Sequence, residues 1–350
     1  MGLWERVRRL FGAREEPLPV GQGWGDDLDD EDDLPVPAEG DPEPIEGLKA
    51  YDLVQVMGKD IRAEGSSGWV FGLPPGIQPG QWPLDPNSGY PLKHGFTLLL
   101  PEEYRMHGPE IVGLSFFAVA AEHNDGMPLS SPGLFDVIRQ PGETPPEDEG
   151  LRAFWEHARA PHPRMHRMKD ILDCEYAVIL LTQEEFDGPL CPVPEIAASP
   201  LLDKDMRPEW LEVGSAHGFH KRFERPPSPL EEVQRAVSKT GDEGVPARLD
   251  FGVPIFLKLR ESDPNAGRKA LESWQSGHYE SPFTESFDYK PWAEGLPGRD
   301  HLGGTMFPIQ AVPDFSPYYI EFEESFGDYN FGMGNAQLDI LNLKFDWACG

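Results

Sequence analysis

The chain has 350 residues, enough for one large domain or two small ones with a substantial core. Apolar residues make up 39%, and Gly and Pro together exceed a fifth of the chain, which points to a loop-rich β or α+β protein rather than a helical bundle or coiled coil. A formal net charge of -31 repels phosphate backbones, so nucleic-acid binding is not expected, while attraction to a basic protein is.

Residues 1–13 read MGLWERVRRLFGA. Leu3, Trp4, Val7, Leu10 and Phe11 recur at helical spacing beside Arg6, Arg8 and Arg9. A short basic amphipathic helix of this kind suits a membrane surface or a partner, but three turns are marginal alone. It lacks the long apolar stretch and cleavage site of a secretory signal. From Asp26 to Glu46 there is no basic residue, and prolines recur. Like charges and prolines oppose compaction, so residues 15–47 are expected to be a disordered acidic linker and the folded part to begin at 48.

Residues 69–71 form a candidate strand, and Phe96, Leu98 and Leu100 line one face of another, closed by Pro101. The segment 111–121, IVGLSFFAVAA, suits a strand buried on both faces and is too short to cross a bilayer. Residues 128–150 read as a Pro/Gly-rich loop. In 151–160, Leu151, Phe154, Trp155 and Ala158 fall on one side of a helix, and 164–172 extends the helical region. YAVILL at 176–181 is a short buried strand. After the proline-rich stretch 184–227, Ser228 with Glu231 forms a capping box with Pro229 at the first helical position. That helix runs to about Lys239.

Leu249, Phe251, Val253, Ile255, Leu257 and Leu259 alternate without a break, the clearest strand of the chain. Pro254 removes a backbone donor and favours an edge or a bulge there. A further helix is expected over 266–275. At the C-terminus Tyr318, Ile320 and Phe322 alternate with Tyr319 and Glu321, as in a half-buried strand. Turn residues from Gly327 to Asn335 follow, and then Leu338 and Ile340 alternate with Gln337 and Asp339. The phase changes at Leu341, after which Leu343, Phe345 and Trp347 are apolar; a bulge or bend near Ile340 and Leu341 is expected, with Trp347 in the core.

Candidate sites are few. His217 and His220 would share a helix face, but a metal needs three or four ligands and none closes the set. His123 and Asp125 are an acid–base pair by type, yet Asn124 and Gly126 beside them make a turn. Cys174 adjoins YAVILL and reads as a buried structural thiol. The three cysteines, Cys174, Cys191 and Cys349, fit no zinc or redox spacing and read as reduced thiols of a cytoplasmic protein. The glycines Gly327, Gly332 and Gly334 lack the strand-to-helix setting of a nucleotide loop. No catalytic, metal or cofactor-binding residue is therefore assigned, and no cofactor is expected.

Several short motifs carry a resemblance. Gly303-Gly304 precedes Pro308-Ile309-Gln310, Phe326-Gly327-Asp328 leads to Gly334 and Asn335, and Phe345-Asp346-Trp347-Ala348-Cys349 closes the chain. Earlier, Trp82-Pro83, Gly89 and Pro91-Leu92 lead into the strand at 96–100. In these the chain resembles the bacterial YwqG-like family, over about a third of its folded part. The resemblance implies an α+β fold of mainly antiparallel sheets with a few helices, and admits two related lobes, 48–245 and 246–350. The family supplies no catalytic residues, and the link of some members to toxin systems implies an immunity role. Three functions follow: a cytoplasmic protein-binding protein that neutralises a basic toxin, an enzyme using His123, Asp125 or the pair His217 and His220, or a peripheral scaffold docking by the N-terminal helix.

Overall fold

Among the described residues eleven strands, all paired antiparallel, form one sheet in the order β11-β10-β9-β8-β1-β7-β2-β3-β4-β6-β5. They are β1 Tyr51–Gln55, β2 Gly68–Phe71, β3 Lys93–Leu99, β4 Ile111–Ala118, β5 Met165–Lys169, β6 Glu175–Thr182, β7 Gly252–Leu259, β8 His301–Leu302, β9 Tyr319–Glu323, β10 Asn335–Asp339 and β11 Lys344–Ala348. Four α-helices of the described residues accompany them: α1 Pro132–Arg139, α2 Glu149–Ala158, and the single turns α3 Gln183–Phe186 and α4 Trp210–Val213. The computed structural model describes residues 43–124, 132–216, 249–271 and 278–350. The expected helices at 1–13 and 228–239, the acidic stretch up to residue 42, Asp125, His217 and His220 lie outside the described residues.

The fold is the α+β architecture of antiparallel sheets expected from the sequence. β4 is buried along its whole length and β6 along nearly all of it. β7 is not an edge: it pairs with β1 on one side and β2 on the other. Pro254 marks the handover. Its carbonyl accepts the Val56 amide at 3.0 Å, but it has no N–H to return, and the ladder with β1 ends at Gln55. Opposite Trp69, the same proline sits in the pairing with β2.

The two ends of the sheet face each other across an aromatic core. Phe116 of β4 is fully buried, and its ring lies 5.3 Å from Phe96, 5.6 Å from Phe322 and 5.3 Å from Phe345. Phe345 on β11 in turn meets Tyr176 on β6 at 4.2 Å. The outer strands β5 and β11 approach one another, and the Trp347 indole donates to Asp170 Oδ2 at 2.7 Å across the gap.

Several local expectations are corrected. Residues 165–169 form strand β5, not helix, because their backbone pairs with the open edge of β6, with Met168 opposite Tyr176. The stretch 128–150 contains α1, which buries Leu134 and Ile138 against the core. Residues 266–271 are not helical. The phase change at Leu341 is a hairpin, not a bulge: Asp339 pairs with Lys344, and Leu343 takes a left-handed φ of 50° in the turn. Trp347 is half-buried rather than a core residue. β9 is buried on both faces, since Tyr319 and Glu321 are covered as fully as Ile320 and Phe322.

The cover over β9 explains that burial. The chain from 303 to 318 crosses the outer face of β8, β9 and β10, and Met306, Val312 and Phe315 join Tyr319 in a second, small core. Polar alternants under it are held by hydrogen bonds. Glu321 accepts the Phe307 amide, the Gln337 amide side chain and His301 Nε2, and Asp339 accepts the Ser316 amide and hydroxyl. The N-terminal boundary also shifts. The Ile45 amide donates to Gly267 at 2.8 Å and Ile45 packs against the main core, so the body begins before residue 48.

Candidate functional site

Among the described residues, those singled out by sequence do not converge. His123 ends a short 3-10 turn and Cys174 is buried, its thiol facing the His123 carbonyl rather than the ring. Cys191 is also buried, which pushes its thiol up to about 12, and Cys349 alone of the three is exposed. Among the described residues no group of three metal-ligating side chains comes together.

A constellation with the look of chemistry does form in the core. His94 Nε2 lies 2.9 Å from the Thr97 hydroxyl, which lies 2.7 Å from the Ser115 hydroxyl. All three are completely buried. Burial pushes the His94 imidazole down to about 4, so it is neutral, and Nδ1–H donates to the Phe71 carbonyl at 3.1 Å. That bond fixes Nε2 as the acceptor for Thr97. The chain of hydroxyls satisfies buried polar atoms of β3 and β4 and opens to no substrate.

The motif residues of the family resemblance have architectural roles. Gly303 has φ 62° and packs so closely on Tyr104 that an added Cβ would lie 2.0 Å from its hydroxyl. That hydroxyl donates to the Lys49 carbonyl at 2.5 Å, tying the 303 turn to β1. Gln310 donates to the Cys349 carbonyl at 2.9 Å. Asp328 turns the chain at φ 60°, and its carboxylate and carbonyl both receive the buried Lys93 ammonium.

Trp82 of the Trp-Pro element does reach a cleft. A cavity of about 320 Å³ opens between α1, α2 and β5, lined by Trp82, Leu84, Ile138 and Met165 with Arg139 and Arg167. Trp82 is held by its indole N–H donating to the Leu92 carbonyl at 2.8 Å and by stacking on Trp210. Arg139 from α1 donates to both oxygens of Glu175, at 2.9 and 3.0 Å. Arg167 from β5 shares the same carboxylate at 3.0 Å and also reaches the Leu84 carbonyl. Glu175 is fully buried, whereas both arginines keep part of their surface. Two guanidiniums on one carboxylate leave a positive excess at this wall. His157 donates through Nε2 to the Trp82 carbonyl at 2.7 Å; burial, aided by the charge of Arg167, lowers its pKa and keeps it neutral. An apolar floor with a few placed polar groups is the usual make-up of a ligand or anchor pocket.

The sequence signals missed this site because Arg139, Arg167 and Glu175 are separated in the chain and meet only through the α1–β5–β6 packing. Comparison with protein-family models, with curated proteins and with solved structures finds no match to this chain.

Proposed function

We propose that this chain is a non-catalytic protein-binding protein of the cytoplasm that takes a basic partner on its acidic surface. One observation carries the reading: the chain has 61 acidic against 30 basic residues, and several of the bases are already held in ion pairs with carboxylates. Lys93 pairs with Asp328, Arg139 and Arg167 with Glu175, Arg164 with Glu185, and Arg260 and Arg299 with Asp52. The outward field is thus dominated by carboxylates, which steers a basic protein toward the surface. The cleft of Trp82, Leu84, Ile138 and Met165 supplies a place for an apolar anchor side chain. The YwqG-like resemblance supports a bacterial immunity role, with a toxin as the partner. Among the described residues no helix is long and apolar enough to cross a membrane.

The test is a salt series of binding kinetics against the product of an adjacent toxin-like gene. The on-rate falls steeply with salt, screened over about 8 Å at physiological ionic strength, and the off-rate changes little. Deleting residues 26–42 slows association if the folded surface is the binder and abolishes it if that segment mimics an anionic ligand. An on-rate indifferent to salt refutes steering by charge, and absence of binding refutes the immunity reading.

A further inference from the structure

A second, smaller cavity lies at the far end of β1 and β7. It measures about 180 Å³ and is lined by Asp52, Lys258, Arg260, Asp263, Trp292 and Arg299. Arg260 follows β7 and is 8% exposed. Its Nε donates to Asp52 Oδ1 at 2.5 Å, and Arg299 donates to the other oxygen, Oδ2, at 3.0 Å. Burial works against the Asp52 charge, but the hydrogen bonds and charges of Arg260 and Arg299 outweigh it and hold the carboxyl below its ordinary range. Asp52 is therefore a fixed anion that anchors Arg260 by one edge of the guanidinium.

The other edge makes no hydrogen bond, although Nη1 lies in a long ion pair with Asp263 Oδ2 at 3.5 Å. Arg260 Nη1 and Nη2 are both buried without a hydrogen-bond partner, and so is the indole Nε1 of Trp292 on the same cavity. Asp263 balances the charge at Nη1 but accepts no hydrogen bond from it. It stands 3.5 Å from Nη1, but its oxygens are directed to the Thr305 amide and hydroxyl and to the Asn265 amide. Buried donors are almost always hydrogen-bonded, so three donors without a hydrogen bond on residues lining one small cavity call for an acceptor. The two terminal nitrogens of a guanidinium match two oxygens of a carboxylate or phosphate, and a neutral indole N–H adds a third contact. Lys258 and Arg299 add positive charge, so the lining carries three cations against two carboxylates. The volume admits a compact group and no more.

We propose that this pocket binds a small oxyanion, either inorganic phosphate or the carboxylate of a compact acid, on Arg260 Nη1 and Nη2 and Trp292 Nε1. The site is distinct from the cleft beside β5 and does not depend on the partner-binding reading.

The experiment is thermal denaturation of the full chain titrated with sodium phosphate, sodium malonate or sodium chloride at matched pH and ionic strength. Phosphate or malonate raises the melting temperature saturably and chloride does not. A response to phosphate alone or to malonate alone identifies the source of the oxyanion. Trp292→Phe keeps the ring and removes one donor, and it weakens the apparent affinity about tenfold, equivalent to about 1.4 kcal/mol. Arg299→Gln, at the exposed mouth, weakens it in the same direction without disturbing the core. If neither oxyanion acts beyond chloride, the donors are simply hydrated and the proposal fails. If the response persists unchanged in both variants, the anions bind elsewhere and it fails equally.

Discussion

Truncating two aromatic residues, Phe116 and Trp347, tests the way the sheet closes on itself. Phe116 is fully buried among rings from β3, β6, β9 and β11, on both ends of the sheet. Emptying such a site costs about 3–5 kcal/mol, and with so many rigid ring neighbours Phe116→Ala belongs at the upper end. Trp347 is half-buried, so about half of the same transfer and cavity loss applies, about 2 kcal/mol. Its hydrogen bond to Asp170 adds about 1 kcal/mol, giving about 3 kcal/mol for Trp347→Ala. Trp347→Phe isolates that bond. Asp170 keeps the amides of Leu172 and Cys174 and the Tyr176 hydroxyl as donors, so the cost is only about 1 kcal/mol. Urea unfolding at constant m-value gives the three differences directly. A cost for Trp347→Ala equal to or above that for Phe116→Ala would show that the seam between β5 and β11, not the ring cluster, holds the two ends together, and the reasoning would fall.

Two further predictions follow from the chain end and from a raised carboxyl. Removing residues 1–42 leaves the unfolding midpoint unchanged, whereas removal to residue 47 costs about 1 kcal/mol because it deletes the Ile45 amide bond to Gly267 and the packing of Ile45; equal midpoints for the two truncations would place the boundary at 48 after all. Burial, with the charges of Glu323 and Glu321, pushes the Asp300 carboxyl up to about 8, and burial raises Glu323 to about 7. The folded state thus keeps protons that the unfolded chain has released above about pH 4, so stability declines as pH rises from about 4 to 8. Asp300→Asn retains an acceptor for the Glu323 amide and removes the charge. Since Asp300 keeps some surface, solvent screening limits the gain to about 1–2 kcal/mol at pH 8, with almost none at about pH 4. A gain of the same size at both pH values would mean that ionisation is not its source.

The strands with continuous apolar runs were legible from the residues alone. β4, β6 and β7 are identified by composition and alternation because each is covered by neighbours on both faces or by one strong face, and α2 by its apolar stripe. What alternation cannot convey is which face meets water. Glu321, Gln337 and Asp339 occupy the polar phase of β9 and β10, yet they are buried, because the chain from 303 to 318 folds over them and supplies their hydrogen bonds. A residue's period is local, whereas its cover comes from elsewhere in the chain. The same holds for Met165 to Lys169, whose pattern is weak and whose strand form comes from the β6 edge beside it. Both concave sites are of this kind. Arg139 and Arg167 meet over Glu175, and Arg260 meets Trp292, only after the long-range pairings bring them together; no spacing in the sequence records those distances. Composition set the acidity and narrowed the class to β or α+β, since both depend on totals and short periods. Burial, register partners and the unpaired donors of Arg260 were decided by tertiary packing, since they are properties of neighbours far apart in the chain.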